Sequence, residues 1–200
     1  TATQIVADIA RAFGVGVRLL PMTDGPVRTI VETDAGDLAF QRYLVQRHAE
    51  DAVRGVRYDG ASAATPAPGV LEAIAGADAV FIAPSNPVGS IAPILAIPGV
   101  REAVVARRDR CVAISPIVGG RSLQPPAGEM MAGIGLAVDV TGVARAYDRL
   151  LRAMVIDQAD GPRTREVAAT GIGVVVARTL MRDEAASRAL AETALSIALA

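Results

Sequence analysis

The run Ala79-Val80-Phe81-Ile82-Ala83, ended abruptly by Pro84-Ser85-Asn86-Pro87, constrains the fold more than any other stretch of this chain. An unbroken apolar run of four or five residues suits a strand buried on both faces, as in a parallel sheet covered by helices. Ser90-Ile91-Ala92-Pro93-Ile94-Leu95 then opens a helical pattern, so the region reads as strand, loop and helix. In such sheets ligands sit in the crevice beyond the carboxyl ends of the strands, where loops deliver hydroxyls, amides and helix N-termini. Ser85, Asn86, Pro87 and Ser90 are therefore candidate ligand contacts, short and uncharged. That chemistry grips an anionic or nucleotide ligand and does not move protons.

The same alternation continues downstream. Apolar runs at 111–114, 153–156 and 173–177 read as strands, and helical patterns lie at 69–75, 90–96, 100–107, 127–134, 140–151, 163–170 and 184–199. Strands alternating with helices predict a parallel sheet with helices on both faces. The first 60 residues are more mixed. A helix is expected over 3–13, a strand over 17–20, and a hairpin in which 28–33 and 37–40 flank Asp34-Ala35-Gly36. A helical turn over 41–48 and an extended run over 53–58 complete a small subdomain beside the main sheet. No repeat or linker divides the chain, which reads as one domain over 1–200.

Three strand ends carry polar or glycine-rich loops: Ser85-Asn86-Pro87, Ser115-Pro116-Ile117-Val118-Gly119-Gly120, and Asp157. Parallel strands bring all three to one edge, which makes Ser115, Gly119 and Gly120 candidate contacts as well. Asp157 suits either a metal-bound water or a helix N-cap. Thr23 and Asp24, in the turn Pro21-Met22-Thr23-Asp24-Gly25, join the candidates. Gly14-Val15-Gly16 and Gly171-Ile172-Gly173 both lead into predicted strands, whereas a dinucleotide fingerprint needs its glycines between a strand and the next helix. His48 has no partner at triad or metal-ligand spacing and reads as a surface residue, and Met130-Met131 read as core filling.

Composition narrows the chemistry further. All 20 basic residues are arginine, which excludes a Schiff-base or P-loop lysine, and a net charge of −1 offers no basic field for nucleic acid. No apolar run reaches the ~20 residues that span a bilayer. The single cysteine, Cys111, reads as a small buried hydrophobe, excludes an internal disulfide, and fits a reducing, cytoplasmic setting.

Several motifs occur in order: Leu19-Leu20-Pro21-Met22-Thr23-Asp24, Ala83-Pro84-Ser85-Asn86-Pro87, Ile97-Pro98-Gly99-Val100-Arg101 and Ser115-Pro116-Ile117-Val118-Gly119-Gly120. With Val155-Ile156-Asp157 and Thr179-Leu180-Met181, they resemble the 2-phospho-L-lactate transferase (CofD-type) family of deazaflavin coenzyme F(420) biosynthesis, from about residue 3 to the end. The resemblance implies a Rossmann-like three-layer α/β/α sandwich. It also implies transfer of a phospholactyl or phosphoenolpyruvyl group from a guanosine diphosphate-activated donor to a deazaflavin acceptor, with release of GMP. Magnesium would be the metal, and the resemblance leaves a homodimer open. A family of this kind begins with a strand and a glycine-rich loop, followed by aspartates that serve the metal, and nothing here matches them. The expectation is therefore a carboxyl-terminal portion with its metal ligands upstream, exposing apolar surface and inactive alone. The rival reading is a non-catalytic nucleotide-sugar-binding regulator of the related gluconeogenesis-factor branch.

Overall fold

The computed structural model describes residues 1–200. It opens with α1 (Ala2–Ala12), closed by a capping box in which Thr1 Oγ1 accepts from Gln4 N and Gln4 Oε1 accepts from the Thr1 amine. An antiparallel unit follows, with β1 (Arg28–Thr33), β2 (Gly36–Ala39) and β3 (Val53–Asp59) in the order β2-β1-β3. The expected hairpin forms, one residue tighter than read, because Gly36 already pairs with Thr33 and leaves Asp34-Ala35 as the turn. The strand expected over 17–20 does not form. An extended run becomes a strand only when a neighbour takes up its N–H and C=O groups. Val17 and Leu19 instead lie exposed in irregular chain.

The remainder alternates as expected: α2 (Val70–Gly76), β4 (Val80–Ile82), α3 (Ala92–Leu95), α4 (Val100–Ala106), β5 (Cys111–Ile114), β6 (Ile117–Val118), β7 (Arg121–Ser122), α5 (Ala127–Gly133), α6 (Val140–Ala146), β8 (Ala153–Asp157), α7 (Thr164–Ala168), β9 (Gly173–Ala177) and α8 (Glu184–Leu199). Strands β4, β5, β8 and β9 form one parallel sheet in that order. Every residue of β5 and β8 is buried, and alternation sends their side chains to two layers. Val112, Ile114 and Val155 meet Leu190, Ala194 and Ala198, a row at four-residue spacing on α8. Cys111, Ala113, Met154 and Ile156 face the other way, against Val140, Val143 and Ala144 of α6 and the adjoining Tyr147. The result is the α/β/α sandwich, with Cys111, Met130 and Met131 in the core and His48 exposed as expected.

Two readings need correction. The run at 79–83 is a strand but is not buried on both faces: β4 is an edge of this sheet, and Phe81, beside Val112, is 45% exposed. Apolarity predicted the strand, whereas its place in the strand order depends on long-range pairing. The helix expected over 140–151 stops at Ala146, because Leu150 and Leu151 turn into the core ahead of β8. Elsewhere the apolar face of α1 is open to solvent at Ile5, Ile9 and Phe13.

Val31, Leu38 and Tyr43 place the antiparallel unit in the same core as the sandwich, and two close contacts fix it there. Gly133 of α5 packs so closely on β3 that a Cβ there would lie 2.7 Å from the Val53 carbonyl oxygen. Tyr58 of β3 donates its hydroxyl to the Val88 carbonyl at 2.6 Å, and burial pushes its pKa up to about 12.

Two buried tyrosines give a paired test of this packing. Tyr43 donates its hydroxyl to the Ala49 carbonyl, whereas the Tyr147 hydroxyl is buried with no partner. Removing a satisfied hydroxyl costs about 1 kcal/mol, and removing an unsatisfied one is neutral or stabilising. Urea unfolding should therefore show Tyr43→Phe destabilised by about 1 kcal/mol and Tyr147→Phe unchanged or more stable.

Candidate substrate cleft at the strand ends

A cleft of about 590 Å³ opens beyond the carboxyl ends of β4, β5 and β9, within the usual size range of small-molecule sites. Pro84, Ser85, Asn86 and Ser90 follow β4, Ser115 and Pro116 follow β5, and Thr179, Leu180, Met181 and Arg182 follow β9. The opposite wall is the connection from β7 to α5, with Ser122, Leu123, Gln124 and two prolines, and Phe40 and Leu44 reach in from the antiparallel unit. Four of the sequence candidates, Ser85, Asn86, Ser90 and Ser115, thus meet in one place.

Their engagement differs. Asn86 Oδ1 accepts from Val88 N at 3.0 Å and Gly89 N at 2.9 Å, capping the helical turn Pro87–Ile91. The proline after it keeps Asn86 out of the helical region, at φ −55° and ψ 113°. Its amide nitrogen meets only the weak acceptor Met130 Sδ, at 3.3 Å, so it retains a proton to donate. Asn86 is therefore both a cap and a cleft residue. Ser115 Oγ accepts from Ile117 N and donates to Ile117 O, which closes its own turn. The Ser85 and Ser90 hydroxyls take no partner within the chain and are the free donors of the cleft.

The other candidates lie elsewhere. Thr23 bonds the Thr65 carbonyl and Gly25 N, and Asp24 accepts from Thr3 N at 2.7 Å. Asp24 holds α1 against the irregular chain, Thr23 ties its own turn to Thr65, and neither lines the cleft. The bond from Thr3 N also holds the Asp24 carboxyl below the usual range. Pro87 is buried and faces a smaller apolar hollow on the far side of its turn, next to Val88 and Leu95. Gly119 and Gly120 form the two-residue turn between β6 and β7, at φ +60° and +72°, a conformation for which glycine is suited. Their amides are not offered to a ligand. Asp160 takes both, through Oδ2 at 2.8 Å and Oδ1 at 3.0 Å.

Asp157 also proves structural. Its Oδ1 accepts from Ala159 N, and its Oδ2 accepts from the Thr179 amide and hydroxyl. Burial pushes its pKa up, but these hydrogen bonds and the charge of Arg182 outweigh burial and hold it below the ordinary carboxylate range. Asp157 and Asp160 therefore tie the chain after β9 and the β6–β7 turn to the end of β8. Sequence reading missed Asp160, Thr179, Leu180, Arg182 and the wall from Ser122 to Pro126. Thr179-Leu180 was visible as a motif, but Asp160 lies 40 and 41 residues from its partners and gave no local signal.

The cleft lining contains no carboxylate or imidazole, and no group of three or more His, Cys, Asp or Glu side chains is assembled to hold a metal. The residues of this chain do not fit the magnesium site that the resemblance implies. No single helix is long and apolar enough to cross a membrane.

A parallel α/β/α sheet with a hydroxyl-bearing cleft across its carboxyl edge, charged only at Arg182, defines a Rossmann-like domain. The chain belongs to the CofD family: the profile described as "2-phospho-L-lactate transferase CofD" matches residues 1–183. It is 36% identical over 195 residues to a 2-phospho-L-lactate transferase of Methanococcoides burtonii, covering 98% of this chain and 63% of that one. Identity is 40% to the Methanopyrus kandleri 2-phospho-L-lactate transferase (98% of this chain, 62% of that one) and 40% to a Kitasatospora aureofaciens phosphoenolpyruvate transferase (98% and 63%). The chain thus spans less than two thirds of the length of these curated relatives. Among solved structures, a UPF0052-family protein from Bacillus halodurans superposes with a TM-score of 0.65 at 17% identity, covering 96% of this chain and 66% of that one. That likeness supports the fold.

The two aspartates make a testable pair. Asp157→Asn leaves the Thr179 donors short of a charged acceptor, and the same change at the buried Asp160 does so for the Gly119 and Gly120 amides. Each should cost about 1–3 kcal/mol in urea unfolding. A depressed folded pKa contributes stability that is present above the unfolded value, near pH ~4, and is lost as pH falls through the folded value. The gap between parent and Asp157→Asn should therefore narrow between neutral pH and about pH 3.

Proposed function

We propose that this chain carries the substrate cleft of a CofD-type transferase. The transferase moves a phospholactyl or phosphoenolpyruvyl group from a guanosine diphosphate-activated donor to the deazaflavin precursor of coenzyme F(420). In that reaction the terminal ribityl hydroxyl attacks the phosphorus bearing the three-carbon acid. The bond from that phosphorus to the bridging oxygen breaks, GMP leaves with the electron pair, and the hydroxyl proton passes to solvent. The observation that carries this reading is the cleft's composition. Apolar walls from Phe40, Leu44, Leu123 and Leu180 suit a flat ring, and the Ser85 and Ser90 hydroxyls with the Asn86 amide suit a polyol or phosphate. Such transfer depends on positioning and charge stabilisation more than on a strong base, and the lining provides no base. The names of the relatives favour a transferase over the nucleotide-sugar regulator.

Thermal shift separates the two. Deazaflavin riboside or GDP at 100 times Kd stabilises by about 2.7 kcal/mol, or about 5–10 °C for a chain of this length, and UDP-sugars should give no shift. A shift with UDP-sugars and none with deazaflavin or GDP would reverse the assignment. Asn86→Ser sharpens the test, because serine also caps a helical turn but is too short to extend an amide into the cleft. The melting temperature should change little, while affinity for the deazaflavin or GDP falls about tenfold.

A further inference from the structure

We infer that Arg182 is the residue that selects and orients an oxyanion of the substrate, phosphoryl or carboxylate, in this cleft. The inference rests on the transferase reading above and adds a residue and a ligand group to it. Arg182 is the only charged residue among the 18 that line the cleft. Most arginines of this chain are engaged elsewhere. Arg47, Arg54, Arg57 and Arg163 pair with carboxylates, and Arg101, Arg107, Arg110 and Arg152 bond to backbone carbonyls. Among those left without a partner, Arg182 alone faces the cleft.

Its backbone, by contrast, is pinned on both sides. Three residues earlier, Thr179 is fastened to Asp157 by its amide and its hydroxyl. One residue later, Asp183 Oδ1 accepts from Ala186 N at 2.7 Å and caps the 16-residue α8. Arg182 N donates to the Leu180 carbonyl at 3.0 Å, so the segment between these anchors is itself turned. The Asp157 carboxylate feels the charge of Arg182 but makes no hydrogen bond or ion pair with it; its oxygens accept from Ala159 N and from the Thr179 amide and hydroxyl. The fold thus presents a fixed-base, unpaired guanidinium over a neutral cleft. A guanidinium offers a planar fork of donors that matches a carboxylate or a phosphoryl group through two parallel bonds, and in an otherwise uncharged cleft it decides which end of a substrate enters where.

The test titrates the complete protein and its Arg182→Ala and Arg182→Lys variants with four probes. GDP and inorganic phosphate carry only phosphoryl oxyanions, pyruvate carries only a carboxylate, and the deazaflavin riboside carries neither. Arg182→Ala should weaken GDP and phosphate, or pyruvate, by about tenfold to a hundredfold, as expected for loss of a charge-assisted pair. Whichever arm moves identifies the oxyanion. Deazaflavin affinity should stay within error, and the melting temperature should fall only slightly, since Arg182 makes no side-chain hydrogen bond and only its charge reaches Asp157. Arg182→Lys should recover only part of the loss, because an ammonium lacks the fork. Equal affinity of parent and Arg182→Ala for every anionic probe would overturn the inference. So would a parent that binds deazaflavin but no anionic probe, while leaving the transferase reading intact. A parent that binds none of the four overturns that reading with it.

Discussion

The cleft depends on two buried carboxylates at the end of one strand. Asp157 closes β8, and Asp160 lies in the turn directly after it. One holds Thr179, and with it the chain that leaves β9, while the other holds both amides of the Gly119-Gly120 turn. Both walls of the cleft are thereby referred to a strand that is buried along its whole length. A buried carboxylate is costly unless its oxygens are satisfied, and here backbone amides and a hydroxyl satisfy them. The same bonds that make the aspartates tolerable fix the distance across the cleft.

The third side of the cleft is set differently. Phe40 and Leu44 belong to the antiparallel unit, which shares the main core through Val31, Leu38 and Tyr43 and is fixed by the Gly133 contact with β3 and the Tyr58 hydroxyl on the Val88 carbonyl. Val88 lies in the turn that Asn86 caps, so the antiparallel unit and the Asn86 loop brace one backbone segment from two sides. This explains how a loop of short polar residues keeps a defined shape. It also explains why Asn86 has two duties: its oxygen is spent on the turn, and its nitrogen remains for the cleft.

What remains in the cleft is chemically sparse: free hydroxyls, an amide, apolar walls and one arginine. The lining holds hydrogen-bond donors and apolar surface but no carboxylate, imidazole or lysine. That character is compatible with membership of a family whose named relatives are 2-phospho-L-lactate and phosphoenolpyruvate transferases, since group transfer can draw on geometry and charge stabilisation more than on a base.

Local signals determined much of this protein. Apolar runs and helical spacing located all four strands of the parallel sheet, the hairpin and most helices, because periodicity records which faces are buried. The loop after β4 was legible as one that lines the cleft, because a strand ending in Pro-Ser-Asn-Pro marks its own end and parallel strands open a crevice there. Tertiary structure alone decided the rest. It left residues 17–20 without a ladder partner and put β4 at an edge of this sheet. It gave Thr23 to the Thr65 carbonyl, Asp24 to α1 and the Gly119-Gly120 amides to Asp160. It also brought Arg182 into the cleft. In each case the deciding partner lies far along the chain or on another element. A local pattern shows that a polar group needs a partner, but only the folded chain determines which group fills that need.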